Sequence, residues 1–189
     1  MKSTPSIAGV ALACLLLGLV SCTTAPRTAA PRVTVDRFLD FYFRQYGSGL
    51  PDAAERAALR PLLTDGLNEA FERAAVAERC AKEKSQGQEP PLVQGDVFSS
   101  LFEKATAVVS IDEGVADGQR QTYRLHFEWR EPGAAEPSVR WTDEVALQEV
   151  DGHWLIDDFV HGGDWQFAVR GSMRAMLLHV AELCPSPGR

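Results

Sequence analysis

The sequence predicts an α+β domain, with N-terminal helices packed on a curved, mainly antiparallel, four-stranded sheet and a C-terminal helix. Three observations lead there. Apolar residues first recur at helical spacing, then alternate with period two from about Thr106, and two Asp-Gly pairs fall between alternating runs.

The helices come first. Val35, Phe38, Leu39, Tyr42 and Tyr46 lie on one side of the segment Val33 to Tyr46, and Asp36, Arg37, Asp40, Arg44 and Gln45 on the other. Gly47-Ser48-Gly49 ends that helix. Asp52-Ala53-Ala54-Glu55 has the pattern of a capping box and opens a short helix towards Leu59, which Pro61 limits. Thr64 or Asp65 caps the next one, whose buried stripe is Leu67, Ala70, Phe71, Ala74 and Ala75. It fades into the polar run Lys82 to Gly87.

Four strands follow. Thr106 to Val115 is the first, and Asp117-Gly118 turns it into Gln121 to Arg130. In the latter, Tyr123, Leu125, Phe127 and Trp129 face one way, and Arg124, His126, Glu128 and Arg130 the other. A polar loop leads to Val139–Val150, and Asp151-Gly152 turns that strand into His153–Val160. A loop containing His161-Gly162-Gly163-Asp164 precedes a last helix from Ser172 to Leu183, with Met173, Met176, Leu177 and Val180 on one face.

Ahead of this domain stands a different kind of sequence. Residues 1–21 carry one charge, Lys2, and Ile7 to Val20 is an unbroken apolar run. A bilayer-spanning helix needs roughly 20 such residues, so the run suits the hydrophobic region of a signal peptide instead. Its end, Leu19-Val20-Ser21-Cys22, resembles the lipobox of bacterial lipoproteins. The resemblance implies cleavage before Cys22 and acylation of its sulfur and its new amine. Thr23, where inner-membrane lipoproteins commonly carry Asp, implies the outer membrane with the domain facing the periplasm. Residues 22–32 read as the lipidated Cys and a flexible tether, with two Pro and no apolar period, and 33–189 as one domain.

Four cysteines are thereby reduced to two. Cys14 leaves with the signal and Cys22 takes lipid, so Cys80 and Cys184 remain. In an oxidising periplasm a disulfide is the default expectation, the alternative being two buried thiols. A bridge closing a loop of ~100 residues stabilises by roughly 4–5 kcal/mol in chain-entropy terms, and requires Cα atoms within about 7 Å.

The order of elements resembles the nuclear transport factor 2-like (cystatin-like) superfamily, and within it a family of small bacterial lipoproteins of unknown function. The residues that carry the likeness are Gly95-Asp96-Val97-Phe98-Ser99-Ser100, Trp141-Thr142-Asp143-Glu144-Val145-Ala146-Leu147 and Asp151-Gly152-His153-Trp154-Leu155-Ile156-Asp157-Asp158. What the resemblance implies is a fold and an envelope location; it supplies no reaction. Folds of this type often enclose a conical pocket.

Candidate pocket residues are Tyr123, Trp141, Asp143, Trp154 and Asp158. With Asp151-Gly152 as the turn, Val145 pairs with Asp158, and Asp143 shares an apolar face with Asp158, the two roughly 7–8 Å apart. Carboxylates so placed have raised pKa values and suit acid–base work of an isomerase or dehydratase type. The other reading is that a bulge or curvature turns them to the rim, or that they bond backbone or Arg.

Composition excludes more than it selects. With 26 acidic against 19 basic residues and a net charge of −7, the chain lacks the basic footprint that nucleic acid demands. The four His show no metal-ligand spacing, no nucleophile elbow or phosphate-binding glycine loop occurs, and no cofactor is implied. Three roles remain: a non-enzymatic, membrane-tethered domain binding an envelope protein or a small ligand; an immunity or inhibitor protein whose acidic surface meets a basic toxin; and the pocket enzyme above.

Overall fold

The computed structural model describes residues 30–185; Cys22, the apolar leader and the tether up to Ala29 lie outside them. Helix α1 spans Pro31–Arg44, α2 Ala53–Leu59, α3 Asp65–Lys84 and α4 Met173–Leu183, with a short 3-10 turn at Arg60–Leu62. The strands are β1 Ala107–Asp117, β2 Arg120–Trp129, β3 Val139–Val150, β4 His153–Gly162 and β5 Arg170–Ser172. They form one antiparallel sheet in the order β1-β2-β3-β4-β5. The sheet therefore has five strands, not four: β5 is three residues long, too short to show a period in the sequence.

Local chemistry explains the element boundaries. Pro31 stands at the first helical position, where its missing N–H costs nothing, so α1 begins two residues before the expected start of the domain. Asp52 and Glu55 form the capping box, each side chain accepting the other's backbone N–H at 2.8 Å. Of the two residues that suit the start of α3, Thr64 is the cap, its Oγ1 accepting from Leu67 N. Asp151 and Gly152 both have positive φ, the conformation a two-residue hairpin of matching twist requires. In the first hairpin Asp117 pairs with Arg120, so Gly118-Gln119 makes the turn.

The helices cover one face of the sheet. Leu125 and Phe127 of β2, Val145 and Leu147 of β3, and Ile156 and Phe159 of β4 meet Phe38 and Tyr42 of α1, Phe71 of α3 and Leu177 of α4. Cys80 and Cys184 form a disulfide with Cα atoms 6.0 Å apart, fastening α3 to the residue that follows α4. No helix among the described residues is long and apolar enough to cross a membrane.

The central aromatic comes from outside every helix and strand. Phe98 lies in the irregular segment between α3 and β1, fully buried, with its ring 4.9–6.4 Å from those of Tyr46, Phe38, Phe159, Phe71 and Tyr42. Val97, Ser99, Ser100, Leu101 and Ala105 are buried beside it. This segment enters the space between α1 and the sheet and fills it.

Candidate functional site

Two buried carboxylates hold that segment in place. Asp143, on the inner face of β3, accepts from four donors. Ser100 N and Trp141 Nε1 bond one oxygen at 2.8 and 2.9 Å, and Gly162 N at 2.8 Å and the Ser100 hydroxyl bond the other. The Ser100 oxygen accepts in turn from Gly163 N at 2.9 Å. Each acceptor oxygen has two partners, which leaves little of the carboxylate's capacity unused.

Asp96 does the corresponding work at the other end. It accepts from the Tyr42 hydroxyl and from Phe98 N, the latter at 2.9 Å. Tyr42 accepts from Ala105 N at 2.9 Å, and Tyr46 accepts from Val97 N at 3.0 Å while donating to Gly49 O at 2.9 Å. Tyr42 on α1 and Tyr46 just past its end thus bond both flanks of Phe98. Burial pushes both phenols far above their usual range, and the Asp96 charge adds to it. Burial likewise lifts Asp96 to about 6, against the opposing pull of its Tyr42 and Phe98 hydrogen bonds and of Lys104. Lys104 donates to Tyr46 O at 2.5 Å and lies over the Tyr42 and Tyr46 rings at 5.2 and 5.7 Å. Its own pKa is lowered, by burial.

The run Gly95–Ser100 is legible residue by residue in these terms. Gly95 has φ +73, and a Cβ there would fall 2.7 Å from the carbonyl oxygen of Phe102. Asp96 bonds α1, Val97 and Phe98 enter the core, Ser99 Oγ accepts from Leu101 N, and Ser100 clips to β3.

Register separates the two aspartates expected to share a face. Leu147 pairs with Ile156, but Ala146 pairs with Asp158, leaving Asp157 as the extra residue of a bulge. Val145 therefore pairs with Phe159 rather than Asp158, and Glu144 with Val160. Asp158 is turned away from the face that Asp143 occupies. Its Oδ1 accepts from Arg174 N at 2.9 Å and its Oδ2 from the hydroxyl of Ser172, the cap of α4. Asp157 accepts from Thr64 Oγ1 at 2.8 Å and from Arg174 Nη1 at 3.0 Å. The bulged pair anchors the starts of α3 and α4; of the two carboxylates in question, Asp143 and Asp158, both bond backbone N–H groups, and the Arg174 side chain goes to Asp157 instead.

The remaining expected pocket residues are dispersed. Tyr123 is buried on the inner face of β2, and Trp141 is buried, stacked on Phe127 at 5.5 Å. Trp154 is half-buried, its carbonyl accepting from Thr34 Oγ1 at 2.7 Å. The five line no common cavity among the described residues. Trp141 borders a hollow of about 300 Å³ that also touches His126, Arg140 and Thr142.

Two histidines carry more than the sequence suggested. His161 belongs to β4 rather than to a loop; it is buried, and neither ring nitrogen has a hydrogen-bond partner among the described residues. Burial lowers its pKa against the raising effect of Asp143. His126, on the outer face of β2, bonds Asp112 at 2.9 Å and Thr142 at 2.8 Å across three strands. The alternation in β2 predicts the outward His126, but only the bulge near Val109 in β1 brings Asp112 within reach. Among the described residues no group of three or more His, Cys, Asp or Glu is placed to hold a metal ion.

Comparison of the chain with protein-family models, with known proteins and with solved structures finds no match. Whatever is inferred about function rests on the chain's own residues.

Proposed function

We propose that the chain is a lipid-tethered, periplasm-facing domain without catalytic activity, which binds another protein of the envelope at its surface. One observation carries this. The interior between α1 and the sheet, where a ligand would enter, is occupied by Asp96–Leu101, with Phe98 at its centre, and Asp143 with four accepted hydrogen bonds and Asp96 with two hold it there. A polar network bonded in this way rigidifies a core, and the filled interior leaves no room for a substrate beside either carboxylate. The order of helices and hairpin-linked strands supports the likeness to nuclear transport factor 2-like domains, here with the pocket filled from within the chain. Cys22 after an apolar run supports the tether.

A second reading, an immunity or inhibitor protein, draws on the surplus of seven acidic residues, which favours fast association with a basic partner. In-cell photocrosslinking from several surface positions separates these ideas. Repeated recovery of one envelope protein supports the first, and recovery of a basic secreted toxin with protection on expression supports the second. Recovery of no defined partner from any position counts against both. Radiolabelled palmitate incorporated by the natural chain and lost in Cys22→Ser tests the tether.

A further inference from the structure

Of the nine phenylalanines, six are buried and three, Phe43, Phe102 and Phe167, are exposed. The exposed three lie at one end of the domain. Phe43 is in the last turn of α1, next to Tyr42, whose hydroxyl accepts from Ala105 N. Phe102 belongs to the irregular segment that precedes Ala105, and Phe167 to the loop between β4 and β5. That loop is fastened to the segment by Val169 N, which donates to Ser100 O at 3.0 Å, and Val169 is itself exposed. The opposite end of the domain holds the start of α1, where Thr34 bonds the carbonyl of Trp154, and the two hairpin turns. It presents Asp117, Arg120 and Asp151 to water and, among the described residues, no exposed aromatic ring.

The exposed rings favour a fluid apolar phase over a shaped pocket. Phe102 is 62% exposed and Phe167 90%, so packing within the chain holds neither ring in one rotamer. A protein pocket must immobilise such a side chain to match it, whereas acyl chains accept any rotamer. Phe167 also keeps a left-handed backbone, a cost that burial inside this domain does not offset. Charges beside the patch balance, Glu103 and Asp164 against Lys104 and Arg170, so the chain's net −7 does not repel an anionic lipid surface here. Reach permits the contact as well. The chain from Cys22 to Pro31 spans at most about 30 Å when fully extended, and α1, with 14 residues, is about 20 Å long. A bilayer that holds Cys22 therefore lies within range of the end at which α1 finishes.

We propose that the end of the domain carrying Phe43, Phe102 and Phe167 rests on the bilayer that holds Cys22, with the Phe102 and Phe167 rings inserted among the acyl chains. The proposal rests on the tether of the preceding reading and goes beyond it. It sets which end faces lipid, and it leaves the hairpin turns and the outer face of the sheet to a protein partner.

Photocrosslinking to lipid tests this. The full chain, expressed with its leader and reconstituted in vesicles of phosphatidylethanolamine and phosphatidylglycerol, carries benzoylphenylalanine at one position at a time. Phospholipid adducts should form from Phe102 and Phe167 at least tenfold more than from Val115, which is exposed near the first hairpin turn. Because the probe is itself aromatic, a second arm places it at Val169 and compares the natural chain with Phe102→Ser/Phe167→Ser. The substituted chain should float with the vesicles as before and give at least tenfold less phospholipid adduct. Equal adducts from Phe167 and Val115, or an adduct at Val169 indifferent to the double substitution, would overturn the contact. Adducts from Phe167 in cells to one protein and none to phospholipid would overturn it too, and assign the patch to a protein partner. A chain that floats without any lipid adduct loses the patch contact alone. A chain that does not float fails at the tether, and the contact falls with it.

Discussion

Ser100 and Asp143, 43 residues apart, are joined by two hydrogen bonds, from the Ser100 backbone N–H and from its hydroxyl to the two carboxylate oxygens. This is the point at which an irregular segment is fixed to a strand. Because each carboxylate oxygen accepts twice, Asp143→Asn would set an amide NH2 against two donors, either Ser100 N and Trp141 Nε1 or the Ser100 hydroxyl and Gly162 N. The expected loss is about 3–5 kcal/mol, the range for breaking a buried charged network. Ser100→Ala removes one donor and orphans Gly163 N, for about 1–3 kcal/mol. Urea unfolding of both single variants and the double should show strong coupling. Midpoints within experimental error of the natural protein would mean that the clip does not hold the segment.

Asp96 gives the fold a pH dependence with a definite sign. Its folded pKa is about 6, against a usual value of 3.8. Between those values the native state binds a proton that the unfolded chain does not, so this group adds stability as pH falls from about 6 towards 4. The full effect is on the order of 3 kcal/mol. His161 acts oppositely: its pKa is lowered by burial, so the unfolded chain protonates first and stability is lost as pH falls below about 6.5. The difference in stability between the natural protein and Asp96→Asn, followed from pH 7 to pH 4, isolates the first group. It should move in favour of the natural protein as pH falls, and a flat difference would refute the assignment.

How far the sequence could be read depended on the range of each signal. Period and caps are local, and Asp52, Thr64, Gly152 and the alternation of Tyr123, Leu125 and Phe127 appear in the structure as their chemistry predicts. The Cys80–Cys184 bridge is present too, as the cysteine count and an expected oxidising compartment suggested. The face assigned to Asp158 fails because one bulged residue, Asp157, inverts every side chain beyond it, and no local pattern announces a bulge. The filling of the interior was hidden for a related reason. Gly95–Ser100 has neither helical nor strand period, and its partners Tyr42 and Asp143 lie 54 and 43 residues away.

The bulge itself makes a prediction. Asp158 accepts from Arg174 N and from Ser172, so it adds a second acceptor at the positive end of α4. Asp158→Ala should cost about 1–2 kcal/mol, as the loss of a helix cap does. Hydrogen exchange should quicken chiefly at the first turn of α4, with β3 unaffected. If exchange instead rises evenly over the molecule, Asp158 is not an anchor of that helix.

Two left-handed residues should respond in opposite directions to substitution. Gly95 (φ +73) has no space for a Cβ, which would meet the Phe102 ring at 2.6 Å and its carbonyl oxygen at 2.7 Å. Gly95→Ala should therefore cost more than the roughly 1–2 kcal/mol that a left-handed backbone alone imposes on an L-residue. Phe167 also has positive φ, at 76, yet its side chain is 90% exposed, so little burial compensates that strain. Asn tolerates this conformation better, and Phe167→Asn should raise stability by up to about 1 kcal/mol. Thermal unfolding of the two variants reads both effects. A loss on Phe167→Asn would show that the ring contributes to folding despite its exposure, whereas a gain accompanied by weaker crosslinking would mean that strain is retained there for binding.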